Sequence, residues 1–299
     1  VAEKRGRISR RETLQFYLFI SPWLIGFFVF FLYPLLSSLY YSFTRYEIGG
    51  RPVWIGLRNY VEMFTDPRYL NSIKVTFIFA LISVPLMTLV ALGLALILSQ
   101  KLRGISIFRS VYFMPSVMPM VAISLTFFYV LRPETGPLAG LLALFGIEGP
   151  RWLGEAEWAL PALIGINVRI IYAGQMVIYM AGIKGIPQEL YEVAEIDGAG
   201  AWAKLRNVTI PMLTPTIFLN LILGIIGAMQ IFDIPFVMTE GGPADSTRTY
   251  MIHLFNRGWV EIRMGSGSAM GWILFLIIMV ITLLVIRSSA AWVYYEGER

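Results

Sequence analysis

The run IKVTFIFALISVPLMTLVALGLALIL, from Ile73 to Leu98, decides the fold. Apart from Lys74 near its start it carries no charge. A helix rising about 1.5 Å per residue crosses a hydrocarbon core of roughly 30 Å with about 20 such residues. Working outward, five more stretches qualify or nearly so: Leu14 to Leu39, Val111 to Leu131, Ala159 to Ile183, Leu213 to Phe236 and Ala269 to Ile286. Pro22, Pro34, Pro85, Pro115 and Pro119 fall inside these stretches or at their ends. Proline is tolerated there because neighbouring helices and side chains satisfy the carbonyls it frees. The expectation is an all-α, polytopic membrane protein with six transmembrane helices.

Composition agrees. Of 299 residues, 57% are hydrophobic and only 14% charged, and the mean hydropathy is +0.68. Soluble domains average about a quarter charged residues, so this chain has too little polar surface to cover a water-exposed globule. Cysteine is absent, which excludes disulfides, thiol nucleophiles and cysteine-ligated metals. His253 is the only histidine, which removes most zinc sites and the Ser-His-Asp chemistry. Its place between apolar stretches puts it in an outside loop with surface contacts only. The net charge of +5 does not point to nucleic acid, because the basic residues bracket apolar runs, as they do beside anionic headgroups. No metal site and no catalytic constellation is expected.

Glu3 to Arg11 is basic, but the apolar segment from Leu14 is too long for a signal core and lacks a small-residue cleavage site. It is read as a retained anchor. Basic residues near helix ends orient the chain. With the N-terminus in the cytoplasm, Lys4, Arg5, Arg7, Arg10 and Arg11 lie inside, followed by Lys101, Arg103 and Arg109 and then by Lys184, Lys204, Arg206 and Arg287. The outside loops carry arginines interleaved with acids, so the bias is modest. Trp23, Trp272, Trp292, Tyr294 and Tyr295 read as interfacial anchors or as ordinary lipid-facing aromatics. The expected organisation is a basic cytoplasmic tail over 1–13, one membrane domain over 14–287 with a cytoplasmic loop at 184–211, and a cytoplasmic tail over 288–299.

That loop and its continuation read KGIPQELYEVAEIDGAGAWAKLRNVTIPMLTP, from Lys184 to Pro215. Pro187 suits a first helical turn, where its missing N–H costs nothing. Glu189 to Ile196 reads as a short helix, and Asp197-Gly198 as its stop, glycine taking the left-handed conformation. A second short helix is expected over Ala201 to Val208, with Pro211 opening the next span. Leu190, Val193 and Ala194 share one face, and Glu189, Glu192 and Glu195 recur at spacings of three on another. Like charges so spaced destabilise an isolated helix by a few tenths of a kcal/mol, roughly, per pair. A cationic partner and a solvated acidic face both account for them.

The pattern Glu192-Val193-Ala194, Asp197-Gly198-Ala199 and Ile210-Pro211 resembles the EAA loop of bacterial ABC-importer permeases. Ile186-Pro187, Leu190-Tyr191, Trp202 and Thr209 extend the match. Val193 departs from the usual alanine, and Leu205 stands where phenylalanine is common. Trp54 to Tyr60 (WIGLRNY), Phe108-Arg109-Ser110 with Met114-Pro115, Phe232-Asp233, Thr239 to Pro243 (TEGGP) and the small residues from Gly265 to Ala269 resemble the carbohydrate-uptake branch.

The resemblance implies the type I importer topology and a bacterial cytoplasmic (inner) membrane location. It implies a second, homologous permease subunit forming a heterodimer, two ATPase subunits holding MgATP, an extracytoplasmic solute-binding protein and alternating access. Glu189, Glu192, Ala194, Asp197, Gly198, Ala199 and Pro211 would form the coupling loop, with Glu192 meeting a basic residue of the ATPase. No cofactor is expected on this chain itself, which lacks a G-x-x-x-x-G-K-[ST] phosphate loop.

Polar groups within spans mark functional sites by default. The fourth stretch holds Asn167, Arg169, Tyr172 and Gln175, and the fifth holds Asn220, Gln230 and Asp233. Placing arginine at a helix centre costs about 2.5–3.5 kcal/mol. In the resembled family the positions matching Arg169 and Gln230 lie near the translocation site. Asn167, Arg169, Tyr172, Gln175, Gln230 and Asp233 are therefore read as the substrate path. Arg169 either receives an anionic sugar such as a uronate, giving an acidic, alginate-like oligosaccharide, or pairs with Asp233 or another acid, fixing two helices and touching no substrate. Maltose-like, trehalose-like and glycerophosphate substrates fit the same residues. Met114, Met118 and Met120 read as packing, and Gly224 and Gly227 as close helix approaches. An ion-coupled secondary transporter should show inverted repeats or an ion-site cluster, and the sequence shows neither. A membrane-embedded enzyme would need a catalytic cluster that one histidine and scattered acids do not supply.

Overall fold

The computed structural model describes residues 10–100 and 102–294. Lys4, Arg5, Arg7, Lys101 and Tyr295, and with them parts of the two expected tails, lie outside the described residues. In chain order the helices are α1 (Arg10–Gly26), α2 (Tyr33–Ser42), α3 (Arg58–Thr65), α4 (Pro67–Leu98), α5 (Ile105–Phe113), α6 (Met120–Val130), α7 (Pro137–Ala143), α8 (Ala156–Gly185), α9 (Gln188–Ile196), α10 (Ala201–Lys204), α11 (Ile210–Met229), α12 (Asp233–Thr239), α13 (Tyr250–Phe255) and α14 (Met264–Ser289). Two short strands, β1 (Thr44–Arg45) and β2 (Val53–Trp54), pair antiparallel with Thr44 opposite Trp54.

Among the described residues, four helical runs are long and apolar enough to cross a bilayer: Thr13–Ser42, Pro67–Leu98, Ala201–Thr239 and Met264–Ser289. Two bent pairs bring the number to six when each counts as one span: Ile105–Val117 with Met120–Val130, and Ala156–Ile170 with Tyr172–Gly185. The expected third stretch is thus not a straight helix, because it turns by 101°. Proline is the cause. Met118 precedes Pro119 and is driven into the extended region (φ −79°, ψ 143°), where the helix cannot continue. Met114 and Met118 consequently face outward, 62% and 49% exposed, rather than packing as expected. The fifth stretch ends at Met229, short of Phe236, and resumes as α12 after Gln230 to Phe232.

Pro34 and Pro211 leave a different mark. Each follows a wide, π-helical stretch, Phe27–Leu32 and Leu205–Thr209 respectively. A proline ring clashes with the carbonyl four residues back and donates no hydrogen bond. A local wide turn accommodates both without breaking the helix. Pro211 therefore does not open a new helix: α10, the wide turn and α11 run on from Ala201 without a gap, which corrects the expected separate helix over Ala201–Val208.

The described residues form two compact units, one from 10–65 with 257–273 and the other from 66–256 with 274–294. In the first, no residue of the most apolar window of Thr13–Ser42 is buried, as befits a lipid-facing anchor. This unit is tied by Asn59, whose buried amide donates to the carbonyls of Ser42 (2.8 Å) and Thr44 (2.9 Å). Tyr60 donates to Ser42 Oγ at 2.8 Å, and Trp272 Nε1 donates to Ser38 Oγ at 3.2 Å. Glu62 bridges Arg58 (2.8 Å) and Arg263 (3.4 Å) at the edge of a hollow of about 340 Å³.

In the second unit α4, α8 and α11 pack together, with Phe79, Met87, Ala91, Leu163, Met176 and Tyr179 in the core. Asp66 caps α4 by accepting from the Arg68 N–H at 2.9 Å. Gly224 is where helices approach: a Cβ there would lie 3.2 Å from Gln175 Nε2 and 3.3 Å from Val84 Cγ1. Gly227 does not share this role, since a Cβ would meet nothing within 4 Å. The tighter approach, unremarked in the sequence, is Gly182, where a Cβ would lie 2.7 Å from Thr216 Oγ1 and 3.0 Å from Leu213 Cδ2. Gly182→Val is expected to destabilise the α8–α11 contact by about 1–3 kcal/mol, the usual scale of overpacking. Thermal unfolding in detergent measures it, and an unchanged midpoint would refute the contact.

His253 is not a surface residue. It is 4% exposed on α13, with Nε2 3.8 Å from Asp66 Oδ2 and its ring beside Tyr69. The Tyr69 and Tyr250 hydroxyls lie 3.2 Å apart, and the Tyr250 N–H donates to Thr76 Oγ1 at 2.8 Å. Burial, reinforced by Tyr69, pushes the Tyr250 phenol well above the ordinary tyrosine range, so it stays neutral. Near the C-terminus the chain returns to α11: the Trp292 ring meets Phe218, and the Tyr294 N–H donates to Thr214 Oγ1 at 2.8 Å.

Candidate coupling elbow and substrate path

The elbow begins where Pro187 caps α9 in an extended conformation. It closes in a Schellman motif. Gly198 takes φ +77°, its N–H donates to Glu195 O at 3.0 Å, and the Ala199 N–H donates to Ala194 O at 2.8 Å. Only glycine adopts that conformation without strain, and these two bonds satisfy carbonyls otherwise orphaned at a helix end. Ala194, Asp197, Gly198 and Ala199 are therefore a helix-terminating unit, with Asp197 as the C-cap.

Two bonds tie α9 to the helix that follows. Tyr191 and Thr209 share a hydroxyl hydrogen bond of 2.9 Å, and Lys204 pairs with Glu195. Glu195 thus has its cation within the chain. The inner face of α9 is Tyr191 with Ala194, both half-buried, which corrects the expected grouping of Leu190 and Val193 with Ala194. Outside lie Glu189 and Glu192 together with Val193 (57% exposed) and Ile196 (86% exposed), at the spacing of one helical face. An uncovered acidic and apolar face on a short, doubly tethered helix has the character of a docking surface.

The six residues expected to line a substrate path divide in two. Asn167, Tyr172 and Gln175 are buried; Arg169, Gln230 and Asp233 are exposed. Arg169 Nη1 donates to the Tyr172 hydroxyl at 3.0 Å, with the guanidinium 5.5 Å from the centre of that ring. Tyr172 is braced in turn by an edge contact with Tyr112, 6.5 Å between ring centres. No ion pair joins Arg169 to Asp233 or to another acid among the described residues. Asp233 instead occupies the first turn of α12, where a carboxylate favours the helix dipole. Gln230 caps α11 at the break before it.

Gln175 Nε2 donates to Asn220 O at 3.2 Å, while Asn167 Oδ1, Gln175 Oε1 and both amide atoms of Asn220 have no partner among the described residues. Tyr179 approaches Thr88 and Asn220, but its hydroxyl and that of Thr88 make no well-formed hydrogen bond. Ser83 Oγ is also unpartnered. Sequence reading passes over Ser83, Thr88 and Tyr179, because a lone hydroxyl in a span costs little when it bonds a carbonyl of its own helix.

Residues 89–294 match the family model described as a binding-protein-dependent transport system inner membrane component. The chain is 38% identical to the probable ABC transporter permease protein YesP of Bacillus subtilis, over 99% of this chain and 97% of that one. It is 30% identical to the trehalose/maltose transport system permease protein MalF of Thermococcus litoralis, over 94% and 96%. Among solved structures, a bacterial alginate ABC transporter in complex with an alginate pentasaccharide-bound periplasmic protein aligns at a TM-score of 0.82, covering 93% of this chain and 95% of that one at 22% identity. That likeness is one of fold.

Proposed function

The chain belongs to the family of binding-protein-dependent transport system inner membrane components, and from that premise we propose that it is a permease subunit of an ATP-driven importer for a sugar or oligosaccharide. It forms half of the translocation pathway beside a second, homologous permease. Two cytoplasmic ATPase subunits hold the MgATP, and an extracytoplasmic binding protein delivers the substrate. The N-terminus and residues 184–211 face the cytoplasm, and the polar residues of α8, Gln230 and Asp233 belong to the substrate path. The chain carries out no chemistry of its own and needs no bound cofactor.

One observation carries this reading. Glu189, Glu192, Val193 and Ile196 form an uncovered face on α9, and α9 is tethered through Tyr191–Thr209 and Glu195–Lys204 to the unbroken helix from Ala201. A partner seated on that face and moving as it closes on ATP would displace the fifth span directly. The sugar-transport relatives support the substrate class.

The test is reconstitution of the assembled subunits in vesicles with labelled oligosaccharides. Uptake is expected only with ATP on the cytoplasmic side and binding protein on the other. Uptake driven by a sodium or proton gradient without ATP would overturn the reading in favour of a secondary transporter.

A further inference from the structure

Resting on the reading as a sugar importer, we infer that Arg169 selects for a carboxylate on the transported sugar, so that the substrate class is a uronate-bearing oligosaccharide. Arg169 stands in the middle of a membrane-spanning helix, yet its side chain is exposed within the chain and finds no acid. A guanidinium has five N–H donors in a planar fork. The Tyr172 hydroxyl takes one from Nη1, and the ring of Tyr172 lies alongside. The Nε–Nη2 edge, the fork that fits a carboxylate in two parallel bonds, has no hydrogen-bond partner among the described residues.

The chain offers little else to neutralise it. Helices α4, α6 and α11 contain no acidic residue, and the one acid of α8 is Glu157 in its first turn. Asp233, the acid within the fifth stretch, is exposed and makes no ion pair with Arg169. The counter-charge therefore comes from outside the chain. Tyr172 is 2% exposed and braced by Tyr112, so it holds the guanidinium from one side and leaves the other presented. A preorganised, one-sided cation in a span has the form of a receptor for a transient anion. A uronate supplies that anion together with the hydroxyls that a sugar path must accept.

Uptake is measured in vesicles for a uronate oligosaccharide and for its carboxyl-reduced, neutral counterpart. Wild type is expected to favour the acidic sugar. Arg169→Gln should lose at least tenfold more of acidic uptake than of neutral uptake, because a missing charged contact discriminates on the scale of tenfold per 1.4 kcal/mol. Equal loss for both sugars, with the complex assembled, would overturn the inference and assign Arg169 to an acid of the second permease. Tyr172→Phe keeps the charge and removes only the positioning hydroxyl. It should raise KM for the acidic sugar several-fold more than KM for the neutral sugar; an equal change in both would also overturn the inference. ATP-driven import of neutral sugars alone by wild type would refute this inference and leave the importer reading standing. Absence of any ATP-driven sugar uptake would refute both.

Discussion

Glu192→Lys is expected to abolish ATP-driven uptake while the subunits still assemble. Glu192 lies fully on the outer face of α9, and the turns that shape the elbow do not use its side chain: the Schellman closure runs through Ala194, Glu195, Gly198 and Ala199 backbone groups. The variant should therefore fold. What changes is the surface offered to a cationic pocket. Like charges brought together at an interface cost several kcal/mol, roughly, and about 3 kcal/mol is a hundredfold in occupancy. Uptake should fall by at least tenfold, and binding protein should no longer stimulate ATP hydrolysis. Lys204→Gln is the control. It breaks the weaker of the two tethers, a pair whose Glu195 side chain is 65% exposed, and exposed pairs contribute about 0–1 kcal/mol; with the Tyr191–Thr209 bond still in place, uptake should fall far less than for Glu192→Lys, by about twofold. Uptake by Glu192→Lys at the wild-type pace would remove α9 from the coupling route.

How much of this was legible in the residues follows from the kind of force that sets each feature. Apolar length is additive along the chain, so the membrane class and the approximate spans could be read from the sequence. The left-handed turn at Gly198 was legible because so few residues tolerate that conformation, and φ there is +77°. The responses to proline were not legible. Pro119 bends the chain by 101° together with its predecessor, whereas Pro34 and Pro211 are absorbed by a wide turn. Which outcome prevails depends on what packs alongside, and periodicity holds no information about that. His253 was misread for the same reason. Local hydropathy placed it in a loop, and only the chain's return to α4 buries it against Asp66 and Tyr69. Polarity in a span singles out Arg169, but whether it meets an acid depends on which helices the fold brings beside it, and periodicity does not hold that information.

The elbow also shows why a motif can tolerate Val193 in place of alanine. Ala194 lies half-buried and supplies the carbonyl that Ala199 bonds, so bulk there would disturb the closure. Val193 points outward at 57% exposure, so its added methyl groups displace nothing within this chain. The position that varies is the one that this chain's own packing does not constrain.

Gly265→Ala should be the most damaging single-methyl change in the first unit. A Cβ at Gly265 would lie 2.0 Å from the Thr44 carbonyl oxygen and 3.1 Å from both Tyr41 O and Tyr46 N. These are backbone atoms, so no side-chain rotation relieves the clash. Nor is Thr44 O free to withdraw, since it accepts from the buried Asn59 amide at 2.9 Å, and the Gly265 N–H itself donates to Tyr46 O at 3.0 Å. Adding one methyl group must separate the start of α14 from β1 and break that tie. The cost is expected at about 3 kcal/mol, the upper end of overpacking, read as a lowered thermal midpoint in detergent and as new proteolytic cleavage between Tyr46 and Val53. Gly271→Ala makes the same chemical change further along α14, where a Cβ meets nothing within 4 Å. It should be neutral or stabilising, because alanine favours a helix over glycine by roughly 1 kcal/mol. If the two variants melt together, the small residue at the start of the last span serves helix propensity alone, and the loop between Ser42 and Arg58 is not anchored through its backbone.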